Sequence, residues 1–393
     1  MKLLIVNHSC TVSVAQQFYA EIERQTGWEI TIVVPENWKD EYGIQRKVQR
    51  WKDFRGDLIS IPVWKSGSIP LHSYRSLFVN LLRELNPDFI YLHQEPYALV
   101  TLQVYLANYF TIRKPISFFT WQNIFKRYPI PFRQMERWVL QNTDVMFPGS
   151  YSAEAVMREK GYSGRSVLMP SGIDPAIYYP RSNTLKSELG TTDHEVLIGY
   201  VGRVVEQKGL KTLLCALNEI RSLPWRLAVV GTGEFDAEFD EIAQQLNLSD
   251  RIQKLGFVPF TETPNYLSAF DILVLPSETR ANWKEQFGRV IIEAMACGTP
   301  VIGSDSGEIP HLINSTKGGL VFPEGDAIAL SQRLGELIQN PELRSNYAET
   351  GKQSVLNNYT NSLLAQRFAE TVKNTVEFDP RSQRSGVQSF PTP

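Results

Sequence analysis

The chain has 393 residues, 40 of them lysine or arginine and 42 aspartate or glutamate, for a net charge of −2, and 42% are hydrophobic. That length suggests two or three domains of about 150 residues each. The apolar content supplies cores rather than a disordered chain, and the charge balance argues against a nucleic-acid binder relying on bulk positive potential. Cys10, Cys215 and Cys297 are far apart and form no Cys-x-x-Cys, which argues against a disulfide framework or zinc knuckle and fits a reducing cytosol. The N-terminal apolar run ends at Asn7-His8-Ser9, too early for a signal peptide. No stretch reaches the roughly 18 apolar residues of a membrane span, so the expectation is a cytoplasmic protein, soluble or attached to a membrane surface.

In chain order, Lys2–Asn7 predicts a strand, Val14–Arg24 a helix, and Glu29–Val34, Leu58–Val63 and Asp88–His93 further strands. Tyr74–Leu85 has helical apolar spacing and stops at Asn86-Pro87. Strands follow at Ile116–Thr120, Asp144–Pro148 and Ser166–Pro170. Their near-continuous apolar character is what a parallel sheet covered on both faces requires. The alternation restarts with strand Val196–Val201, helix Leu210–Ile220, strand Arg226–Val230, helix Glu234–Leu246, strand Asp271–Leu275, helix Arg289–Cys297 and strand Thr299–Gly303. Helices dominate from Asp326, ending in the amphipathic segment Ser362–Val376. Two βαβ series imply two doubly wound α/β domains, joined in the Pro- and Gly-rich stretch from Met169 to Pro180. The expected division is 1–172, 173–358, a helix over 359–378 and a disordered tail over 379–393. Ligands of open α/β sheets bind outside the carboxyl ends of the strands, so chemistry is expected there.

Two constellations stand at such ends. Gly202-Arg203-Val204-Val205-Glu206-Gln207-Lys208-Gly209 places two cations around a turn that leads into a helix. A guanidinium fork, an ammonium and free N–H groups at a helix entrance suit a diphosphate. The plain alternative is a strand-to-helix turn with solvated cations. In Glu285-Gln286-Phe287-Gly288-Arg289-Val290-Ile291-Ile292-Glu293-Ala294-Met295-Ala296-Cys297-Gly298, two carboxylates stand eight positions apart, roughly 12 Å along a helix. Glu285 is positioned to accept from sugar hydroxyls, Glu293 from a ribose diol, and the N–H groups around Phe287–Arg289 to face a diphosphate between them. The plain alternative is Glu285 as a surface residue and Glu293 in a salt bridge, but Glu293 sits among apolar neighbours, where a carboxylate is costly unless partnered.

These motifs, with Gly231-Thr232-Gly233-Glu234 and Leu255-Gly256-Phe257-Val258 between them, resemble the retaining glycosyltransferases of GT-B fold, the group 1 family, over roughly residues 196–325. The resemblance implies two Rossmann-like domains facing across a cleft, the first binding the acceptor and the second the donor, with a C-terminal helix crossing back to the first. It implies that Arg203 and Lys208 neutralise the donor diphosphate, that Glu285 contacts the donor hexose with the main chain of Phe287 and Gly288, that Glu293 binds the ribose, and that the Phe257-Val258 backbone meets the base. The family's Gly-Gly pair after the first strand is absent. Asn7-His8-Ser9-Cys10-Thr11-Val12-Ser13 stands there, with the hydroxyls of Ser9, Thr11 and Ser13 as substitutes. For His93, at a strand end, the resemblance implies contact with the reacting sugar, as a histidine in this region makes in some relatives; its plain reading is a structural hydrogen-bonding group.

The implied function is transfer of a hexose from a UDP- or GDP-linked donor to a hydroxyl acceptor with retention, in polysaccharide or glycolipid synthesis. No cofactor is expected, and without an Asp-x-Asp pair or clustered histidines no metal either. An epimerase or phosphorylase of the same fold, or a non-catalytic nucleotide-sugar binder, are the alternatives. Phe110–Leu140 holds six cations (Arg113, Lys114, Lys126, Arg127, Arg133, Arg137), one acid (Glu136) and interleaved aromatics. It reads as a membrane-surface patch presenting a lipid-linked acceptor or as strand core flanked by solvated cations; nucleic-acid binding is a third option, disfavoured because no recognised module is present.

Overall fold

Strands β1 (Lys2–Val6), β2 (Glu29–Pro35), β3 (Asp57–Ile61), β4 (Phe89–Leu92), β5 (Ile116–Thr120), β6 (Val145–Pro148) and β7 (Arg165–Ser166) form one parallel sheet, ordered β7-β6-β5-β4-β1-β2-β3. Strands β8 (Val196–Val201), β9 (Trp225–Val230), β10 (Ile252–Gly256), β11 (Ile272–Leu275), β12 (Val301–Ser304) and β13 (Gly319–Phe322) form a second, ordered β10-β9-β8-β11-β12-β13. The computed structural model describes residues 1–39, 43–182, 185–192, 194–379 and 381. Each sheet reverses its strand order beside its first strand, as in doubly wound nucleotide-binding folds.

Period-2 alternation explains why β1 is apolar throughout. Leu3 and Ile5 face one core and Leu4 and Val6 the other, so both faces are covered and no position is left for a polar residue. The chain divides into one unit of Met1–Met169 with Ser362–Pro393 and a second of Pro170–Asn361. The first unit closes with the C-terminal helix Asn361–Glu377, whose Leu364, Ala365, Phe368 and Val372 join the core of Leu3, Ile5 and Tyr91. Phe368 meets Tyr91 at 5.0 Å and Phe147 at 5.1 Å between ring centroids. The chain therefore returns to its first domain through this helix. The tail expected to be disordered lies outside the described residues, apart from Asp379 and Arg381.

Three local expectations change. Tyr74–Leu85 is not one helix: Ser73–Tyr74 pairs with Val63–Trp64, and the helix spans only Val79–Leu85 after Phe78 takes a φ of 56°. Tyr74 is drawn into the core, where its hydroxyl donates to the Val33 carbonyl at 3.3 Å. Two strands are not expected from the sequence: β10, whose Gln253 and Lys254 are exposed and break its apolar character, and β13, a short Gly319–Phe322 run at the sheet edge. Within 110–140, Phe118 and Phe119 are buried in β5, and Glu136 is not a surface acid but a buried partner of Lys160 at 2.5 Å. Lys126, Arg127, Arg133 and Arg137 remain exposed, with Phe125 37% and Ile130 62% accessible. Among the described residues no helix is long and apolar enough to cross a membrane.

Candidate active site

The second sheet reverses its order between β8 and β11, which pair directly although two strands, β9 and β10, separate them in sequence. The loops after these two strands carry both constellations, so the fold places them at the crevice where doubly wound sheets bind ligands. They touch at Gly209: its φ is +68°, and a Cβ there would lie 1.8 Å from the Pro276 carbonyl oxygen. Only glycine permits that approach.

Lys208 ends a 3₁₀ turn, Glu206–Lys208, and its Nζ lies 2.5 Å from Glu285 Oε2. Both side chains are largely shielded, at 14% and 11% accessibility. Ser277, just past β11, donates its hydroxyl to the same oxygen at 2.9 Å. The turn and the loop thus join through a carboxylate–ammonium contact that spans 77 residues of sequence. Arg203 differs. Its backbone is fixed by the Tyr200 hydroxyl, which donates to the Arg203 carbonyl at 2.6 Å, while its exposed guanidinium has no ion pair among the described residues.

The helix Arg289–Ala296 starts at Gly288, whose φ of 81° turns the chain into it. Glu285 therefore sits on the incoming loop, and the eight-residue spacing is not a helical rise. Phe287 buries its ring, near Tyr359 at 6.4 Å, so only its main chain can face a ligand. Glu293 is buried on the helix, and Arg289 Nε reaches its Oε1 at 2.7 Å. This partner, one turn earlier, is the salt bridge of the plain alternative and meets the cost of burying the carboxylate, and the i, i+4 spacing that signals it is visible in the sequence. The Arg289 guanidinium also lies 5.0 Å from the Phe260 ring centroid. Burial, followed by the Glu293 charge, pushes the Tyr178 phenol well above its ordinary range. Val258 lies beyond the end of β10, two strands from β8, half-buried beside exposed Phe257.

His93 belongs to the other unit, just past β4. Its ring stacks on Phe119 at 4.0 Å and 10°, and Nδ1 lies 3.0 Å from the Tyr91 hydroxyl. Burial, and then His8, lower its pKa to about 3, so at neutral pH it is an uncharged imidazole. Burial and His72 likewise lower His8 to about 4. Glu95 moves the other way: burial raises it to about 7, although Thr120 Oγ1 at 2.6 Å and the Trp121 N–H at 2.8 Å donate to it. A lowered histidine contributes stability that is complete above pH 6.5 and is lost as pH falls toward 3, because the unfolded chain binds the extra proton. Raised Glu95 contributes stability below pH 4.5 that is lost as pH rises toward 7. We expect the melting-temperature gap between the wild type and His93→Asn to narrow from pH 7 to pH 5, by up to about 2 kcal/mol of stability; a constant gap would contradict the assignment. Of the hydroxyls expected to replace the missing glycines, Thr11 is buried and donates to the His8 carbonyl, while Ser9 is exposed and Ser13 half-buried.

Residues 182–354 match the family described as glycosyl transferases group 1. Over this segment the chain is similar to the group 1 glycosyltransferases. Among curated relatives, it is 29% identical over 221 residues to a Corynebacterium glutamicum GDP-mannose-dependent monoacylated alpha-(1-6)-phosphatidylinositol monomannoside mannosyltransferase, covering 54% of this chain and 56% of that protein. It is 30% identical over 234 residues to a D-inositol 3-phosphate glycosyltransferase of Corynebacterium jeikeium, covering 56% and 54%. The chain thus spans about half the length of the curated relatives it matches. Among solved structures, sucrose-phosphate synthase from Thermosynechococcus elongatus superimposes with a TM-score of 0.72 at 20% identity, covering 95% and 98% of the two chains. Anabaena HepE in complex with UDP gives 0.74 at 18%, covering 95% and 100%. These likenesses place the chain in the GT-B fold class. Three residues of the site escaped sequence reasoning: Ser277, Arg280 and Trp283. The signal available for the last two was the unusual length of the segment before Glu285.

Proposed function

We propose that this glycosyltransferase moves a hexose from a UDP- or GDP-linked donor to a hydroxyl acceptor with retention of anomeric configuration, in polysaccharide or glycolipid synthesis. The observation that carries this reading is the Lys208–Glu285 pair at the strand-order reversal, beside an Arg203 guanidinium without an ion pair. Departure of the donor leaves charge on a diphosphate and an electron-poor sugar ring. Arg203, Lys208 and the N–H groups at Gly288–Arg289 meet the first charge with groups already in place, which is where preorganised electrostatics act most strongly. Glu285 accepts from the hexose hydroxyls, Glu293 from the ribose, and the backbone at Val258 meets the base. The acceptor oxygen bonds to the anomeric carbon as the bond to the diphosphate breaks. The acceptor proton passes to a donor phosphate oxygen, so no protein base is needed. His93, uncharged, serves the reacting sugar as a hydrogen-bonding group.

On this reading the cations do the work of a metal, and the enzyme is cytoplasmic. The exposed face of Phe125, Lys126, Arg127, Ile130, Arg133 and Arg137 rests on an anionic membrane surface bearing the acceptor. Co-sedimentation with vesicles that does not respond to their anionic lipid content would remove that contact. The catalytic reading is tested by incubating the enzyme with UDP- and GDP-sugars and candidate hydroxyl acceptors. Release of nucleoside diphosphate should require acceptor and persist in a chelator, and proton NMR should show a product with the donor's anomeric configuration. Donor isomerised without acceptor, an inverted product, or activity lost to chelator and restored by Mg²⁺ would each overturn the corresponding part.

A further inference from the structure

The segment from Pro276 to Gly288 joins β11 to the next helix with 13 residues, where connections of this kind usually take about 2–6. Its centre folds back on itself. The Arg280 N–H donates to the Trp283 carbonyl at 2.7 Å and the Trp283 N–H to the Arg280 carbonyl at 3.2 Å, leaving Ala281 and Asn282 exposed at the tip. The reversal is fastened on two sides. Arg280 Nη2 reaches Glu278 at 2.9 Å and Glu206 at 3.3 Å, and Glu278 accepts from the Thr212 hydroxyl at 2.6 Å. On the other side the Thr279 N–H donates to Glu324 at 2.6 Å.

This fastening holds the half-buried Trp283 indole against the site: Lys208 Nζ lies 5.1 Å from the ring centroid and 2.5 Å from Glu285. No described residue accepts the indole N–H, and no second ring packs on it. A cation over an accessible ring recovers less than fully burying a large apolar side chain would. An indole left partly open beside a reactive pair therefore points to a ligand surface. An aromatic face next to a carboxylate and a free N–H donor matches a pyranose, which offers an apolar C–H face and a rim of hydroxyls.

We infer that Trp283 is a specificity residue for the donor sugar, its indole forming the wall on which the apolar face of the hexose lies while Glu285 holds the hydroxyl edge. The inference rests on the glycosyltransferase reading above and deepens it. A diphosphate that draws Lys208 toward itself clears Glu285 and the ring face together, so the sugar subsite opens as the phosphates bind.

Calorimetric titration separates the sugar from the rest of the donor. The probes are UDP with UDP-glucose and UDP-N-acetylglucosamine, and GDP with GDP-mannose. For the pair the wild type binds, Trp283→Ala and Trp283→Leu should weaken the nucleotide sugar about tenfold and leave the nucleoside diphosphate within about twofold. Trp283→Phe, which keeps a ring, should recover most of the loss. Equal weakening of both ligands would make the ring only a support for Lys208 and overturn the inference, as would unchanged sugar affinity or a leucine as good as phenylalanine. A wild type that binds none of the probes would overturn the functional reading itself, a failure seen before any variant is made.

Discussion

Glu285→Gln is expected to lower kcat by about a thousandfold while leaving the affinity for nucleoside diphosphate unchanged or tighter. The two effects have one cause. The Glu285 carboxylate holds Lys208 at 2.5 Å and accepts from Ser277 at 2.9 Å. Glutamine keeps the size and can still accept from Ser277, but it gives up the charge. The electron-poor sugar in the transition state then loses a charged acceptor, which affects kcat. Lys208, no longer neutralised by a neighbour, is left with its full charge for the diphosphate. Removing one member of a shielded ion pair also costs stability, about 3–5 kcal/mol when fully buried and less here, because both side chains keep some solvent contact. Unfolding curves must therefore accompany the kinetics. A variant that retains kcat within fivefold would remove Glu285 from the reaction.

The second large effect separates the two cations. Arg203→Ala and Lys208→Ala should each lower kcat/KM by about 10²–10³, the size seen when one preorganised donor to a developing negative charge is lost. Their stability effects should differ. Arg203 is exposed with no ion pair among the described residues, so its loss should cost within about 0.5 kcal/mol. Lys208 leaves Glu285 shielded without its cation and should cost clearly more. Arg203→Lys tests the geometry, since an ammonium cannot reproduce a planar two-point contact with phosphate oxygens. Catalytic losses that merely follow the stability losses would argue that both residues are structural.

Much of the fold can be read from the sequence because a parallel sheet covered on both faces leaves a coarse signature. The run Leu3-Leu4-Ile5-Val6 has no exposed position, and the same holds for β4, β5, β6, β11 and β12. β10, at a sheet edge, lacks this signature because exposed Gln253 and Lys254 interrupt it, and β13 is only four residues long. Phe78 shows the opposite failure: its neighbourhood has helical spacing, but core packing of Tyr74 and a left-handed turn override it. The site was legible where it depends on local spacing, as in Arg203, Lys208, Glu285 and Glu293. It was illegible where it depends on what the fold brings together. The hydroxyl of Ser277 on Glu285, the ring of Trp283 against Lys208 and the hold of Arg280 on Glu206 join segments separated by up to 75 residues. The salt bridge of Glu293 was legible as the plain alternative, and its partner Arg289 stands one helical turn before it.

The most direct measurement is a crystal structure of the enzyme with the nucleotide sugar that most raises its melting temperature, a rise that reports binding to the native state. The diphosphate oxygens should lie within about 3 Å of both the Arg203 guanidinium and the Lys208 ammonium, with Lys208 drawn away from Glu285 and the hexose hydroxyls on the freed carboxylate. A donor bound with its diphosphate away from Arg203 and Lys208, or with Lys208 still held on Glu285, would contradict it.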